Sequence, residues 1–470
     1  MPVGHVVPEL CLVVAGAAAL VVALFAPRRL QWTAAVVALG GIAAAVVTTA
    51  DLQAGPQQLT FSGTWAVDAA ALWAKQLILV ATAVAVGLSP EWFRTDPRHG
   101  EYYTMLLYAA LGSIMMAGAA DVMELVVGVL LASVAGYTLA AYHRRCPRSA
   151  EAGIKYFLLG GLTNPLLALG AVFLFGLAGS TLYQTLRLGL PAAASDPLLL
   201  VAAAVLVAVG LAFEMGAFPA HAWVADVAQG GPAPAAAFLT VVPKIGAAVA
   251  FARLFTLLPP EQVGWRPVVA LLAAATMTLG NLAALWQDDL RRLLGWSAVS
   301  QSGYALMAVV VIDASDLALP ALLLFLAAYA AGNLAAFGVV VELRGRTRLA
   351  GYRGLAQQRP WLAATLAVGL LSLVGIPPLA GFAGKWTLFA ATMDGGYAWL
   401  AVLAVANTVV SLFYYLRVLA PVYFAPATEP IPALGGWAAA ATMAAGAAAV
   451  AVGLAAGPLV DSFSRAQLLP

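Results

Sequence analysis

FEMGAFPAHAWVADVAQGGPAPAAAFLTVVPKI, residues 213–245, sets Glu214, His221 and Lys244 into apolar sequence around a proline-broken turn. Helix is interrupted at Pro219 and again between Gly230 and Pro234. Freed backbone and ionisable side chains survive at membrane depth only where protein or water surrounds them. The stretch therefore reads as an ion-moving site inside a helical membrane protein.

The rest of the chain agrees. Of its 470 residues 63% are hydrophobic and 9% charged, with a mean hydropathy of +0.93, far too apolar for a soluble domain. Apolar segments of about 20 residues recur from end to end, so residues 1–470 are expected to form a single membrane domain. The fold class is all-α and polytopic, with about fourteen transmembrane helices: 7–26, 31–50, 68–89, 101–119, 121–142, 153–176, 197–227, 233–257, 266–286, 292–312, 317–341, 360–393, 397–420 and 433–456. The first could pass for a signal peptide, but Glu9 precedes its core and Arg28 and Arg29 follow it, which is the wrong charge order for a cleaved one.

At about 1.5 Å per residue, spans seven and twelve are too long for one straight crossing of about 30 Å, and both contain prolines, so both are broken helices. They lie five spans apart and so run in opposite directions. Spans four to eight (101–257) and nine to thirteen (266–420) are read as two inverted five-helix antiporter-like repeats, from layout alone and without letter-level identity between them.

Arginine sets the orientation. With the loop after span one in the cytoplasm, fifteen arginines fall on that side: 28, 29, 94, 98, 144, 145, 148, 291, 292, 344, 346, 348, 353, 359 and 417. Only Arg187, Arg253, Arg266 and Arg465 fall opposite, so both termini face outward. All four lysines, Lys75, Lys155, Lys244 and Lys385, lie instead within the spans. An ammonium can lose its proton when desolvated and a guanidinium effectively cannot, so lysine is the cation suited to relaying protons.

Lys244 lies about twelve residues, roughly 18 Å, into span eight, beyond easy snorkelling; it is either a relay or a cation held by carbonyls at a nearby break that Pro243 would loosen. Glu214 has no opposite charge at helical spacing, so its partner must come from another helix, with Lys155 and Lys244 the candidates, in a relay or a structural ion pair. His221 either bridges two half-paths or bonds backbone. Lys385, after Pro377 and Pro378, marks a second half-channel or exit, or ligates carbonyls. Lys155 either relays or snorkels toward the Arg144 to Arg148 loop. Lys75, Asp68 and Glu9 sit near span ends as structural residues, and Glu124 reads as interfacial.

Several functions are excluded. The net charge of +2 is too small and scattered for a nucleic-acid partner, and no glycine-rich nucleotide motif lies on a strand. Cys11 and Cys146 supply no disulfide framework, metal site or iron–sulfur cluster, so no cofactor is expected on this chain and any redox chemistry happens elsewhere.

Five stretches carry a resemblance: CPRSAEAGIKYFLLGG (146–161), PAHAWVADVAQGGPAPAAAFLTVVPKI (219–245), RLLGWSAVSQSGYALM (292–307), GIPPLAGFAGKW (375–386) and SLFYYLRV (411–418). In order and spacing they resemble the subunit N (subunit 2) family of respiratory NADH:quinone oxidoreductase, complex I, whose members are antiporter-like membrane subunits. The resemblance implies a proton path through Lys155, His221, Lys244 and Lys385, with no redox centre on the chain and coupling to quinone chemistry elsewhere in the complex. It further implies a bacterial cell (inner) membrane location, with other membrane subunits of complex I as partners, neighbouring antiporter-like subunits among them, besides the lipid bilayer.

Two departures stand out. VGVLLASV puts Leu130 where the family has a span-five glutamate, and Glu214 stands where it has a span-seven lysine. Glu124 is no simple substitute, lying about 240° around the helix and about 9 Å along it from position 130. One reading is a rewired path in which Glu214 pairs with Lys155 or Lys244 and protons still reach Lys385. The alternatives are a non-pumping structural paralogue, or a subunit of a related cation antiporter or membrane-bound hydrogenase.

Overall fold

The computed structural model describes residues 3–96, 99–193, 197–427 and 429–470; Arg98, counted above among the cytoplasmic arginines, lies outside them. In chain order the helices that build the bundle are α1 (Val7–Phe25), α2 (Thr33–Gln53), α3 (Ala69–Gly87), α4 (Gly100–Gly118), α5 (Val122–Ala140), α6 (Pro147–Ala178), α7 (Pro197–Met215), α8 (Trp223–Gly230), α9 (Ala233–Leu239), α10 (Val242–Phe255), α11 (Trp265–Leu285), α12 (Leu290–Val310), α13 (Ala318–Glu342), α14 (Pro360–Val374), α15 (Ala380–Asp394), α16 (Ala398–Phe424) and α17 (Gly436–Leu454). Each expected span is occupied by one of these helices or by a pair. Twelve segments among the described residues are long and apolar enough to cross a membrane. The two remaining spans are α4, which carries Glu101 and three tyrosines, and the pair α14 and α15, 15 residues each and too short to cross alone.

Spans seven and twelve are broken as expected, into α7 and α8 and into α14 and α15. Span eight departs from the single helix read above: it is interrupted at Thr240 and Val241, between α9 and α10. Pro243 is the cause, since it sits at the start of α10, where a missing N–H is tolerated, and cannot continue the ladder of α9. Span six is longer than read, beginning at Pro147. The all-α reading also misses a two-stranded antiparallel hairpin, β1 (Gln58–Thr60) and β2 (Trp65–Val67), in the loop between α2 and α3.

Burial separates centre from rim. All 25 residues of α13 are buried, as is all of α10, and α12 is nearly so. Helices buried on every side form the middle of such a bundle, and their polar residues must find partners on neighbouring helices. By contrast α1, α2, α6, α16 and α17 expose large apolar side chains, among them Val14, Val47, Leu158, Phe413 and Met443, the surface offered to lipid or to another subunit. Two ion pairs tie the first helices together. Lys75 on α3 meets Glu9 on α1 at 2.5 Å, and Arg253 on α10 meets Asp68, the N-cap of α3, at 2.5 Å with neither side chain exposed. Arg253 is thus an arginine inside a span, an exception to the pattern by which loops hold the arginines.

Candidate functional site

The breaks in spans seven and twelve have one design. α7 ends at Met215 and is followed by Gly216 at φ 66° and a cis Phe218–Pro219 bond; α14 ends at Val374 and is followed by Gly375 at φ 100° and a cis Pro377–Pro378 bond. The offset is constant, 375 − 216 = 159 and 378 − 219 = 159. Backbone bonding repeats as well: Ala217 N donates to Ala212 O at 2.7 Å and Ile376 N to Leu371 O at 3.1 Å, five residues back in each case. Only glycine adopts these left-handed angles without strain, which is why the two segments share letters here.

Lys385 closes the second break. Its Nζ donates to Leu373 O at 2.9 Å and Val374 O at 3.0 Å, the carbonyls at the end of α14, and lies 4.3 Å from the centre of the Tyr304 ring. Gln301 on α12 donates to the same Leu373 carbonyl at 3.1 Å. Lys385 is buried and belongs to none of the ion pairs among the described residues.

Lys244 stands at the break in span eight. The Thr240 carbonyl, just beyond α9, accepts from Tyr329 Oη on α13 at 2.6 Å. Lys244 Nζ donates to Ala298 O on α12 and, at 3.4 Å, to the same tyrosine hydroxyl. Asn333, one turn beyond Tyr329, donates to Thr240 Oγ1 at 3.0 Å. No carboxylate pairs with Lys244 among the described residues, so it too is a buried cation held by neutral groups.

Glu214 departs from the expectation of a lysine partner. Its Oε1 accepts from Ser133 Oγ on α5 at 2.5 Å, while Oε2 is buried without a hydrogen-bond partner. Asn164 on α6 supports Ser133 at 3.1 Å and reaches Tyr137 Oη at 3.3 Å. Lys155 is far along the same helix: nine residues before Asn164, about 13.5 Å of rise, it is half exposed and pairs with Glu151 at 2.7 Å and Asp226 at 3.0 Å. Arg292 holds the other oxygen of Asp226 at 2.5 Å. So α6 offers an amide, not an ammonium, at the depth of Glu214. Leu130, at the position of the family's glutamate, is 44% exposed on the outside of α5, one turn before Ser133.

His221 lies in the turn after the first break, its ring 5.9 Å from Phe218 and 5.7 Å from Trp296, half-buried and apart from Glu214. Glu124, in the first turn of α5, is half-buried and turns one oxygen inward without a partner, so it is more enclosed than an interfacial residue.

The structure thus joins Lys244 and Lys385 through α12 and leaves Glu214, His221 and Lys155 as separate stations. Ala298 and Gln301, three residues apart on α12, are where the two lysine sites attach, and Ser302 Oγ beside them donates to Met215 O at the first break at 2.5 Å. Sequence reasoning missed Ser133, Asn164, Thr240, Tyr329, Asn333 and Ser302. A signal existed for two of them: Tyr329 and Asn333 are a four-residue-spaced polar pair in a helix that is otherwise apolar from Ala318 to Val341.

Residues 119–411 match the family model described as NADH:quinone oxidoreductase/Mrp antiporter, TM. The chain is 45% identical to an NADH-quinone oxidoreductase subunit N from Mycobacterium sp. (strain JLS), covering 96% of both chains, and 44% identical to a subunit N 1 from Streptomyces griseus, covering 97% of both. A chain of respiratory complex I from Thermus thermophilus superposes with a TM-score of 0.84 at 32% identity over 98% of this chain and 100% of that one. The Mrp complex from Dietzia shares the fold, with a TM-score of 0.83 at 21% identity over 99% of this chain and 97% of that one. By these likenesses, and consistently with its helix breaks and buried lysines, the chain belongs to the NADH:quinone oxidoreductase/Mrp antiporter family of membrane subunits, on the subunit N branch.

Proposed function

We propose that this chain translocates protons as a membrane subunit of a respiratory NADH:quinone oxidoreductase, carrying no redox group or cofactor of its own. The observation that carries the proposal is the environment of Lys244 and Lys385. Both are buried, both are bound by carbonyls and a tyrosine, and neither has a carboxylate partner among the described residues. An ammonium without a counter-ion in such a place is the side chain most readily moved between charged and neutral forms. Charge at one lysine raises the cost of charge at the other, so a proton arriving at one favours release from its neighbour.

The matched breaks at Gly216 to Pro219 and Gly375 to Pro378 support a pair of inverted repeats, 101–257 and 266–420, one of these two breaks falling in each. Arginine placement supports a bacterial inner-membrane orientation with both termini outside and the Arg291, Arg292, Arg359 and Arg417 face in the cytoplasm. The partners are other membrane subunits of the complex, neighbouring antiporter-like subunits included. His221 and Glu214 belong to the same line as polar stations, and Lys155, paired with Glu151 and Asp226, stands at its cytoplasmic rim.

One observation favours a second reading, a structural subunit that keeps the fold and does not pump: Glu214, at the position where the resemblance implies a lysine, meets only a hydroxyl. Lys244→Ala and Lys385→Ala in the reconstituted complex decide between them. Under the first reading each lowers the proton to electron ratio at normal assembly; an unchanged ratio establishes the second.

A further inference from the structure

We infer that Lys385 exchanges protons with the arginine-bearing face, the cytoplasmic one in the orientation proposed above, through the hydroxyls of Tyr304, Thr408, Ser297 and Tyr415. The inference rests on the reading of Lys385 as a proton carrier and adds the side from which it is served.

Two helices flank Lys385, and both change character at its level. α12 runs inward from Arg291 and Arg292 and is polar as far as Tyr304, with Ser297, Ser300, Gln301 and Ser302 on the way; from Ala305 to Val310 it is wholly apolar. α16 runs the other way, apolar from Ala398 to Ala406 and polar from Asn407 to Arg417. The two are antiparallel and in register, so their polar halves coincide. Tyr304 Oη meets Thr408 Oγ1 at 2.9 Å, and Ser297 Oγ meets Tyr415 Oη at 2.5 Å, seven residues nearer the arginines on each helix. The adjacent Tyr414 donates to Asn281 on α11 at 2.9 Å.

This network begins beneath Lys385, whose ammonium sits over the Tyr304 ring and shares the Leu373 carbonyl with Gln301. It ends at Tyr414, three residues or about 4.5 Å of rise before Arg417. Arg417 donates to Leu285 O at 2.8 Å and stands 3.5 Å from Asp288, which is open to solvent. A hydroxyl both donates and accepts, so a file of hydroxyls can pass a proton by reorienting.

Toward the opposite face there is no counterpart among the described residues. α13 from Ala318 to Ala328 is apolar, and the hydroxyls of Thr387 and Thr392 on α15 bond only carbonyls of their own helix, whereas Thr408, which also bonds its own Ala404 O at 3.0 Å, reaches across to Tyr304. Lys385 is thus wired toward the arginines and insulated from the far side.

The test is proton pumping by the reconstituted complex, normalised to electron transfer. Ser297→Ala with Tyr415→Phe should lower the proton to electron ratio by the same fraction as Lys385→Ala, Thr408→Val should do so independently one level deeper, and Ser297→Thr, which keeps the hydroxyl, should restore the ratio. Thr392→Val, on the insulated side, should leave it unchanged. If Lys385→Ala lowers the ratio and both hydroxyl cuts leave it intact, the path is wrong and the pumping role stands. If Thr392→Val lowers it and the cuts do not, protons come from the other face. If Lys385→Ala itself has no effect, the pumping role falls and takes the path with it.

Discussion

The two proline breaks share a backbone and differ in what answers their freed carbonyls. At the second, a buried lysine does: Lys385 reaches back twelve and eleven residues, across the turn, to hold Leu373 and Val374. At the first, neutral groups do, since Ser302 Oγ bonds Met215 O and Trp223 Nε1 bonds Phe213 O at 3.1 Å. The position 159 residues before Lys385 is Asp226, which lies near the surface between Lys155 and Arg292. One scaffold therefore carries a buried cation in one half and a rim anion in the other. A helix break supplies open carbonyls; which charge it collects depends on where the following helix begins, Trp223 in one case and Ala380 in the other.

The largest test of that difference is to force the first break toward the family's arrangement. Glu214→Lys together with Leu130→Glu should abolish this subunit's share of the proton to electron ratio, because position 130 faces out of the chain and the new ammonium would meet Ser133, not an acid. A ratio that rises instead would show that the first break is a weakened form of the family's pair.

Smaller effects sharpen the scaffold side. A Cβ on Gly381 would run into the Ser372 backbone, so Gly381→Ala should destabilise the subunit by about 1–3 kcal/mol, read as a lowered Tm of the purified complex. Ala222, 159 residues earlier, is exposed, and Ala222→Gly should stay within about 0.5 kcal/mol in the same assay. Equal losses at the two sites would mean that the breaks are packed alike after all. Trp223→Phe, which removes the bond to Phe213 O while keeping most of the stacking on Tyr156 at 4.1 Å, should cost about 1 kcal/mol by thermal melting, between those two.

Much of this was legible from residues alone. Overlong apolar runs with internal prolines disclosed the breaks at Pro219 and Pro378, and the placement of lysine against arginine disclosed Lys244 and Lys385. The partner of Glu214 was not legible, because whether Ser133 or Leu130 faces it depends on the rotation of α5 against α7, which no local pattern encodes. Lys155 was misread as a possible partner for a related reason: spacing along α6 gives its depth, but Glu151 and Asp226 capture it first. The break at Thr240 escaped because 233–257 has the right length for one crossing and Pro243 is tolerated at a helix start. The hairpin at residues 58–67 is too short for any periodic signal.

α12 acts as a common axle. Lys244 grips it at Ala298, and Gln301 links it to the carbonyl that Lys385 holds, so both anchors lie within one helical turn of a single rigid rod. Sliding that rod by one residue, about 1.5 Å, would stretch the 3.1 Å contact at Gln301 out of hydrogen-bonding range and displace the Lys244 anchor in the same stroke. The two lysines are in this sense geared together: a mechanical event that disturbs one reaches the other without a signal having to cross the space between them.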